Sequence, residues 1–234
     1  MNEQKLSQRL QAVANYVPSK ARLADIGSDH AYLPAWLVLN QKISYAVAGE
    51  VVQGPFLSAK KLVESCNLQA QIVVRLADGL QAISDQDAIN VVTICGMGGF
   101  LIREILENGV QKGKLQGTER LILQPNIGEY SLRKWLMQHN YRIIAEEILE
   151  EDAKIYGIIV AEKDQRVVHY TEKELIFGPI LMQEKSVVFK KKWQHEKVQK
   201  GKILKNLKKA QVSAENLAKL KEITDILERI DEVI

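Results

Sequence analysis

The sequence predicts an α/β fold: a mostly parallel sheet with helices on both faces, an antiparallel hairpin at its edge, and a helical hairpin after it. Three observations predict this. From residue 22 to residue 138, short apolar segments that end in glycine or an acid alternate with stretches of helical period. Two strand-like runs follow with only five residues between them, and beyond Lys163 the chain turns lysine-rich, glycine-poor and helical in pattern. A strand, a helix and a parallel strand in succession cross over right-handedly and cover the sheet. A five-residue connection is long enough for a hairpin and too short for a crossover helix.

The elements follow in order. Leu6, Leu10, Val13 and Val17 recur at helical spacing and Pro18 stops the run, giving an opening amphipathic helix. Arg22 to Gly27 reads as the first strand, and Pro34 starts a helix that reaches Leu39. Tyr45 to Glu50 is the second strand, followed by a helix from Pro55 to Cys66, and Ile72 to Leu76 is the third. Val91 to Cys95 is the fourth, closed by Gly96, Met97, Gly98 and Gly99 before a helix from Phe100 to Glu107. Leu121 to Leu123 is the fifth, followed by Gln124, Pro125 and Asn126 and a helix from Ser131 to Gln138. Tyr141 to Leu149 and Ile155 to Ala161 make the hairpin, an antiparallel edge on a parallel sheet.

In the tail, Thr171 and Glu174 match a capping box, Gly178 and Pro179 interrupt the helix, and a long helical run then continues to Lys209. Ser213 caps a last helix, with Val212 and Leu217 at the spacing of a hydrophobic staple. Leu217, Leu220, Ile223, Leu227, Ile230 and Ile234 repeat at steps of three and four, a narrow stripe that suits a coiled-coil seam. This piece is expected to protrude rather than to cover a sheet. The division expected is a sheet domain over residues 1–165 and a lysine-rich helical domain over residues 166–234.

Composition narrows the function. With 234 residues, 46% of them hydrophobic and 26% charged, the chain buries a core of normal size without disulfide or metal support, which excludes a disordered, collagen-like or disulfide-scaffold protein. Cys66 and Cys95 sit alone, with no CxxC pair and no histidine-rich segment, so no metal site is expected. The first ten residues lack the apolar core of a signal peptide, and no stretch approaches the roughly 18 apolar residues of a membrane span. A cytoplasmic protein with no membrane partner is expected, a monomer rather than an oligomer. The charge is unevenly spread: from Lys185 to Lys221 twelve lysines face two glutamates, so the rest must be acidic for the total to reach only +3. Lysine-rich helices are often plain solvated faces, but a basic segment on an acidic body also suits a polyanion, since lysines near phosphates release counterions.

Ligands of open parallel sheets bind beyond the carboxyl ends of the strands. Asp25 and Gly27 end the first strand, Glu50 the second, Asp78 and Gly79 follow the third, and Gly96 to Gly99 follow the fourth. Singly, each is ordinary turn chemistry; four at successive strand ends point to a ligand site. Glu50 lies 23 residues after Gly27, the spacing of an acid that holds ribose hydroxyls, and Asp78 is suited to accept from an adenine amino group. A dinucleotide needs its pyrophosphate on G-x-G-x-x-G, whereas here one glycine is followed by Asp29, which repels phosphate. S-adenosyl-L-methionine carries no phosphate but a cationic amino group and a sulfonium, for which Asp25 and Asp29 are favourable neighbours. The antiparallel edge agrees with a class I methyltransferase, a Rossmann-like fold that adds such a strand.

Ala24 to Pro34 with its Ser-Asp-His after the glycine, Gly49 to Pro55, Ala77 to Gly79, Ile94 to Gly99 and Leu123 to Asn126 together resemble the bacterial tRNA adenine-N1 methyltransferase (TrmK) family. The similarity runs over essentially the whole chain, through Phe177, Gly178 and Pro179 to the helical tail. It implies methylation of N1 of adenosine 22 in the D-arm of tRNA, with S-adenosyl-L-methionine as cofactor and a C-terminal coiled-coil domain. The cofactor set then comprises Asp25, Gly27, Ser28, Glu50, Val51, Asp78, Gly79, Gly96, Met97 and Gly98. The chain departs from the wider class in lacking a second and third glycine in the first loop. It also lacks the Asn-Pro-Pro-Tyr element of enzymes that methylate exocyclic amines; Cys95 to Gly98 stand in that place. Adenine N1 has an in-plane lone pair and needs no general base, so Asp29, assisted by His30, is the candidate for stabilising developing positive charge, and Asn126 for reading the adenine edge. Lys190, Lys191, Lys192, Lys205, Lys208 and Lys209 are the candidates for holding tRNA phosphates. The alternatives are a non-catalytic RNA-binding scaffold on the same fold and an NAD-dependent oxidoreductase sharing the Glu50 signal.

Overall fold

The computed structural model describes residues 2–208 and 213–234. Ser7 caps α1 (Gln8–Tyr16) by accepting from the Leu10 amide at 3.2 Å. Then β1 (Arg22–Ile26), α2 (Tyr32–Leu39), β2 (Tyr45–Glu50), α3 (Gln53–Ser65), β3 (Ile72–Leu76), β4 (Val91–Gly98), α4 (Gly99–Gln111), β5 (Arg120–Ile127) and α5 (Glu129–Gln138) alternate as expected. Pro34 and Pro55 lie inside the first turns of α2 and α3 rather than at their first residues, where a missing amide still breaks no helical bond.

The seven strands run in the order β3-β2-β1-β4-β5-β7-β6, where β6 is Tyr141–Glu151 and β7 is Lys154–Lys163. Strands β1 to β5 are parallel, and β7 is antiparallel to both β5 and β6. The fold class is therefore the expected one. Strand order reverses between β1 and β4, which opens a crevice at their carboxyl ends. One face of the sheet is covered by α1, α2 and α3 through Val13, Leu33, Leu37 and Val63, the other by α4 and α5 through Ile102, Leu106, Leu132 and Leu136.

Three boundaries differ from expectation. Strands β4 and β5 both run past the residues expected to end them, because their ladder continues through register shifts at Met97 and Gly98, and Pro125 sits opposite Met97 inside that irregular stretch. The hairpin pairs down to Glu151 opposite Lys154, so the connection is the two residues Asp152 and Ala153, both with positive φ (51° and 58°), a turn that matches strand twist. The long helix expected after Gly178 is broken. Thr171 and Glu174 cap α6 (Glu172–Phe177) as a capping box, Gly178 ends it at φ +90°, and α7 is the single turn Leu181–Glu184. Lys185 then turns left-handed and Ser186 recaps α8 (Val187–Leu207).

Ser213 caps α9 (Ala214–Val233) by accepting from the Asn216 amide at 3.1 Å. The start of α8 packs on the end of α9: Phe189 and Trp193 share a buried cluster with Ile230, Val233, Phe177 and Ile148 of β6. The two helices are thus antiparallel, their near half covers the β6 edge, and the far half, with Val198, Ile203 and Leu217 exposed, projects. The expected staple residue Val212 and Lys209 lie outside the described residues.

Candidate functional site

The crevice between β1 and β4 holds a cavity of about 380 Å³. Asp25, at the end of β1 and directly opposite Thr93 of β4, is 5% exposed. Its carboxylate accepts from the Ser28 hydroxyl at 2.5 Å and from the Thr93 hydroxyl at 2.6 Å. Burial raises the Asp25 pKa against the opposing pull of these two hydroxyls and of Arg9. Glu50, at the end of β2, is also buried, and its carboxylate accepts from the Asp29 amide. Burial raises the Glu50 pKa too, and the charges of Asp25 and Asp29 add to the effect against the Asp29 amide bond.

The loop that joins these acids is shaped by left-handed backbone: Gly27 at φ +69°, Asp29 at +54° and Ala31 at +56°. The Gly27 and Ser28 amides both donate to the Gly49 carbonyl, at 2.9 and 3.2 Å, which folds the loop over the end of β2. Opposite stand Cys95, Gly96 and Met97. A side chain at residue 27 would run into the terminal methyl of Met97, 2.0 Å from where its Cβ would sit. The Cys95 thiol is held protonated, its pKa pushed up by burial and by the Asp25 charge. Two buried carboxylates with raised proton affinity around a backbone free of side chain favour a ligand bearing positive charge and hydroxyl donors. The cationic amino group and ribose of S-adenosyl-L-methionine meet that description, and the residues present fit it.

Of the residues singled out in the sequence, Asp25, Gly27, Ser28, Asp29, Glu50, Gly96 and Met97 border this one cavity. Others do not. Asp78 and Gly79 border a small separate pocket with Ile105 and Gly109, although the Ala77 amide donates to the Glu50 carbonyl at 2.7 Å and so keeps the two strand ends adjacent. Val51 is exposed, and His30 is partly exposed, its Nε2 3.7 Å from the Asp29 Oδ1 and its imidazole stacked on Tyr32 at 5.1 Å. Asn126 lies outside the cavity too; its amide nitrogen donates to the Gly96 carbonyl at 2.8 Å and its oxygen accepts from Gln124 at 3.2 Å.

Two residues missed in the sequence lie at the centre. Arg9 of α1 borders the cavity and donates to the Gln124 side-chain oxygen, which also accepts from the Gly96 amide at 3.0 Å. Gln124 is fully buried, a polar side chain that fixes both the guanidinium and the glycine turn. Arg9 and Gly96 also line a second recess with Lys154 and Tyr156, and Asn126 and Ile155 connect that recess to a groove of about 700 Å³ beneath α8. The lysines of α8 differ in state. Lys190, Lys205 and Lys208 are exposed, Lys191, exposed as well, pairs with Glu150 at 2.6 Å, and Lys192 pairs with the partly buried Glu129 at 2.5 Å. Burial alone would raise the Glu129 pKa, but the Lys192 ammonium overrides it and holds the carboxyl below its ordinary value. Among the described residues no group of acids, histidines and cysteines could hold a metal ion, and no helix is long and apolar enough to cross a membrane.

The chain matches the family model of TrmK, tRNA (adenine(22)-N(1))-methyltransferase, over residues 23–232. The tRNA (adenine(22)-N(1))-methyltransferase of Bacillus subtilis (strain 168) is 50% identical to it over 238 residues, covering 100% of this chain and 99% of that protein. The crystal structure of the B. subtilis M1A22 tRNA methyltransferase TrmK resembles the fold with a TM-score of 0.93 at 48% identity, covering 99% of each chain. Streptococcus pneumoniae Sp1610, solved in complex with S-adenosyl-L-methionine, resembles it with a TM-score of 0.88 at 45% identity, covering 98% of this chain and 99% of that one.

Proposed function

This chain belongs to the tRNA (adenine(22)-N(1))-methyltransferase family, and we propose from that premise how its residues divide the work. It transfers a methyl group from S-adenosyl-L-methionine to N1 of an adenine in tRNA. The observation that carries the assignment is the pair of buried carboxylates, Asp25 and Glu50, at the point where strand order reverses.

When bound, S-adenosyl-L-methionine supplies a methyl group on a cationic sulfur. Glu50 accepts from the ribose hydroxyls, and Asp25, held by Ser28 and Thr93, faces the cationic amino group. Gly27 and Ser28 let backbone approach it, Val51, Asp78 and Gly79 flank its adenine end, and Gly96, Met97 and Gly98 form the wall on the β4 side. Adenine N1 carries an in-plane lone pair, so no proton has to be removed before it attacks. The work left to the protein is positioning and charge: the product base is cationic, and Asp29, which borders the cavity, with His30 beside it, stabilises positive charge as it forms. Asn126 accepts from the adenine amino group, which leaves N1 free.

The exposed Lys190 and Lys205 of α8 and Lys208 at its end, together with Lys209, hold tRNA phosphates and give placement without base readout, while Lys191 and Lys192, candidates for the same role, are engaged with Glu150 and Glu129. Residues 1–165 act as the catalytic domain and residues 166–234 as the tRNA-holding domain. The enzyme works in the cytoplasm, where its tRNA substrate is, and as a monomer, since the near half of the α8–α9 seam is already covered within the chain. The test is transfer of labelled methyl to unmodified bacterial tRNA followed by nucleoside analysis. Label in 1-methyladenosine is expected, with Asp29→Asn lowering turnover by about 10-fold or more, the scale of one lost electrostatic contact to a developing charge, and far more than it lowers cofactor affinity. Unchanged turnover in that variant removes Asp29 from the mechanism.

A further inference from the structure

A base that reacts at N1 must leave its stack and be held beside the cofactor cavity. The recess that adjoins this cavity has a volume of about 510 Å³ and is bounded by Arg9, Gly96, Asn126, Lys154, Ile155 and Tyr156. It shares Arg9 and Gly96 with the cofactor cavity on one side, and Asn126 and Ile155 with the groove beneath α8 on the other. A continuous path therefore runs from the lysines of α8, through the recess, to Asp25 and Glu50. From this continuity we infer that the recess between α1 and the β6–β7 hairpin receives the target adenine, and that the Tyr156 ring is the platform on which it stacks. The inference rests on the reading that the chain methylates tRNA.

The walls suit a purine nucleotide. The volume lies within the range of small-ligand sites, about 300–1,000 Å³. The Arg9 guanidinium lies 5.4 Å from the centre of the Tyr156 ring, and aromatic rings and guanidinium planes are the two protein surfaces on which unstacked bases settle. Lys154, exposed at the tip of the hairpin, is a cation for the phosphate that flanks a flipped nucleotide. Tyr156 is also rigidly carried: it sits opposite Leu149 in the paired part of the hairpin, on a strand whose far end is hydrogen-bonded into the sheet beside β5. A platform on a strand keeps its place when the RNA arrives, which a loop residue does not. Stacking there offsets part of the cost of unstacking the target, and Asn126, which borders the same recess, is placed to read the edge of the base.

The experiment uses the full chain, full-length tRNA, and two variants. Tyr156→Leu keeps apolar bulk in the strand and removes the ring; Tyr156→Phe keeps the ring. Three quantities are read: methyl transfer, cofactor binding, and the fluorescence of tRNA carrying 2-aminopurine at the target position, which stacking quenches. Tyr156→Leu is expected to lower kcat/KM for transfer by about 10- to 100-fold, the span of one lost base–aromatic stack, and to abolish the quench, with cofactor binding unchanged. Tyr156→Phe is expected to keep both transfer and quench. Full transfer by Tyr156→Leu, or an equal loss in Tyr156→Phe, overturns the platform and leaves the methyltransferase reading intact. Absence of transfer by the parent enzyme itself overturns both.

Discussion

Asp25 shows how one side chain trades stability for a ligand. Its burial raises the pKa, so between the ordinary carboxylate value and the raised one the folded protein holds a proton that the unfolded chain has lost. Stability therefore falls as pH rises through that window. Asp25→Asn removes the charge, and the Ser28 and Thr93 hydroxyls can turn to suit an amide. The variant is expected to melt at a higher temperature than the parent at pH 7, with the gain vanishing below the ordinary carboxylate range, where both carry no charge. It is also expected to bind S-adenosyl-L-methionine at least about tenfold more weakly, since a hydrogen bond to a charged group contributes about 1.5–3 kcal/mol. Melting curves across pH and a binding titration check the two together; a destabilised variant with intact binding would assign Asp25 a purely structural role. Asp25 and Glu50 were legible because an acid that closes an apolar strand is conspicuous. Thr93 was not, since only the β1–β4 register brings it opposite Asp25. Nor was Arg9, whose place on the polar face of a short amphipathic helix looks like any solvated arginine until α1 is docked on the sheet.

At the scale of elements, the tail is fastened to the sheet by one buried ion pair. Arg133 of α5 donates to Glu146 of β6 at 2.8 Å and to the Leu175 and Ile176 carbonyls at 3.1 Å, while Glu146 accepts from the Ile180 amide at 3.0 Å. Both side chains are almost wholly buried, and Gly178 is where the chain passes them: a Cβ there would sit 2.6 Å from the Glu146 carboxylate at a φ of +90°. Glu146→Leu strands the guanidinium in the interior and is expected to lower unfolding free energy by about 3–5 kcal/mol, with Arg133→Met added to it recovering a good part. Removing the exposed Lys173–Glu232 pair is expected to cost less than about 1 kcal/mol. Denaturant midpoints of the four proteins make the comparison, and equal losses would mean that the buried pair is no anchor. Neither this clasp nor the break at Lys185 was legible: a Glu on an edge strand and a Lys in a basic run carry no local mark of burial or of left-handed backbone. The alternation of elements was legible throughout, because each strand closes on, or within two residues of, a glycine or an acid. The ends of β4 and β5 were misjudged for the same reason, since glycine and proline normally stop strands but here sit in a bulged ladder.

For the whole molecule, the lysine surplus that made the tail stand out in the sequence resolves into two populations. Lys191, itself exposed, and Lys192 are ion-paired with Glu150 and Glu129 of the sheet domain; Lys190, Lys205 and Lys208 are exposed. Counterion release depends on charges that neutralise phosphates, so the two sets should separate in a salt titration. Replacing Lys190, Lys205 and Lys208 with Gln is expected to weaken tRNA binding and to reduce the slope of log affinity against log salt by about 1 for each lysine in contact with a phosphate, leaving the melting temperature in place. Replacing Lys192 leaves the partly buried Glu129 without its cation, so that variant is expected to lose stability first and to change the slope little. The ordering is what matters. A charge count along the chain weighs all these lysines alike, while the fold engages Lys191, Lys192, Lys197 and Lys200 in ion pairs, the first two beside the groove that leads to Tyr156 and the cofactor cavity. If the Lys190, Lys205 and Lys208 replacement left both affinity and slope at parental values, α8 would be a solvated face, and the groove beneath it would have to take its tRNA from the hairpin side through Lys154 and Arg9.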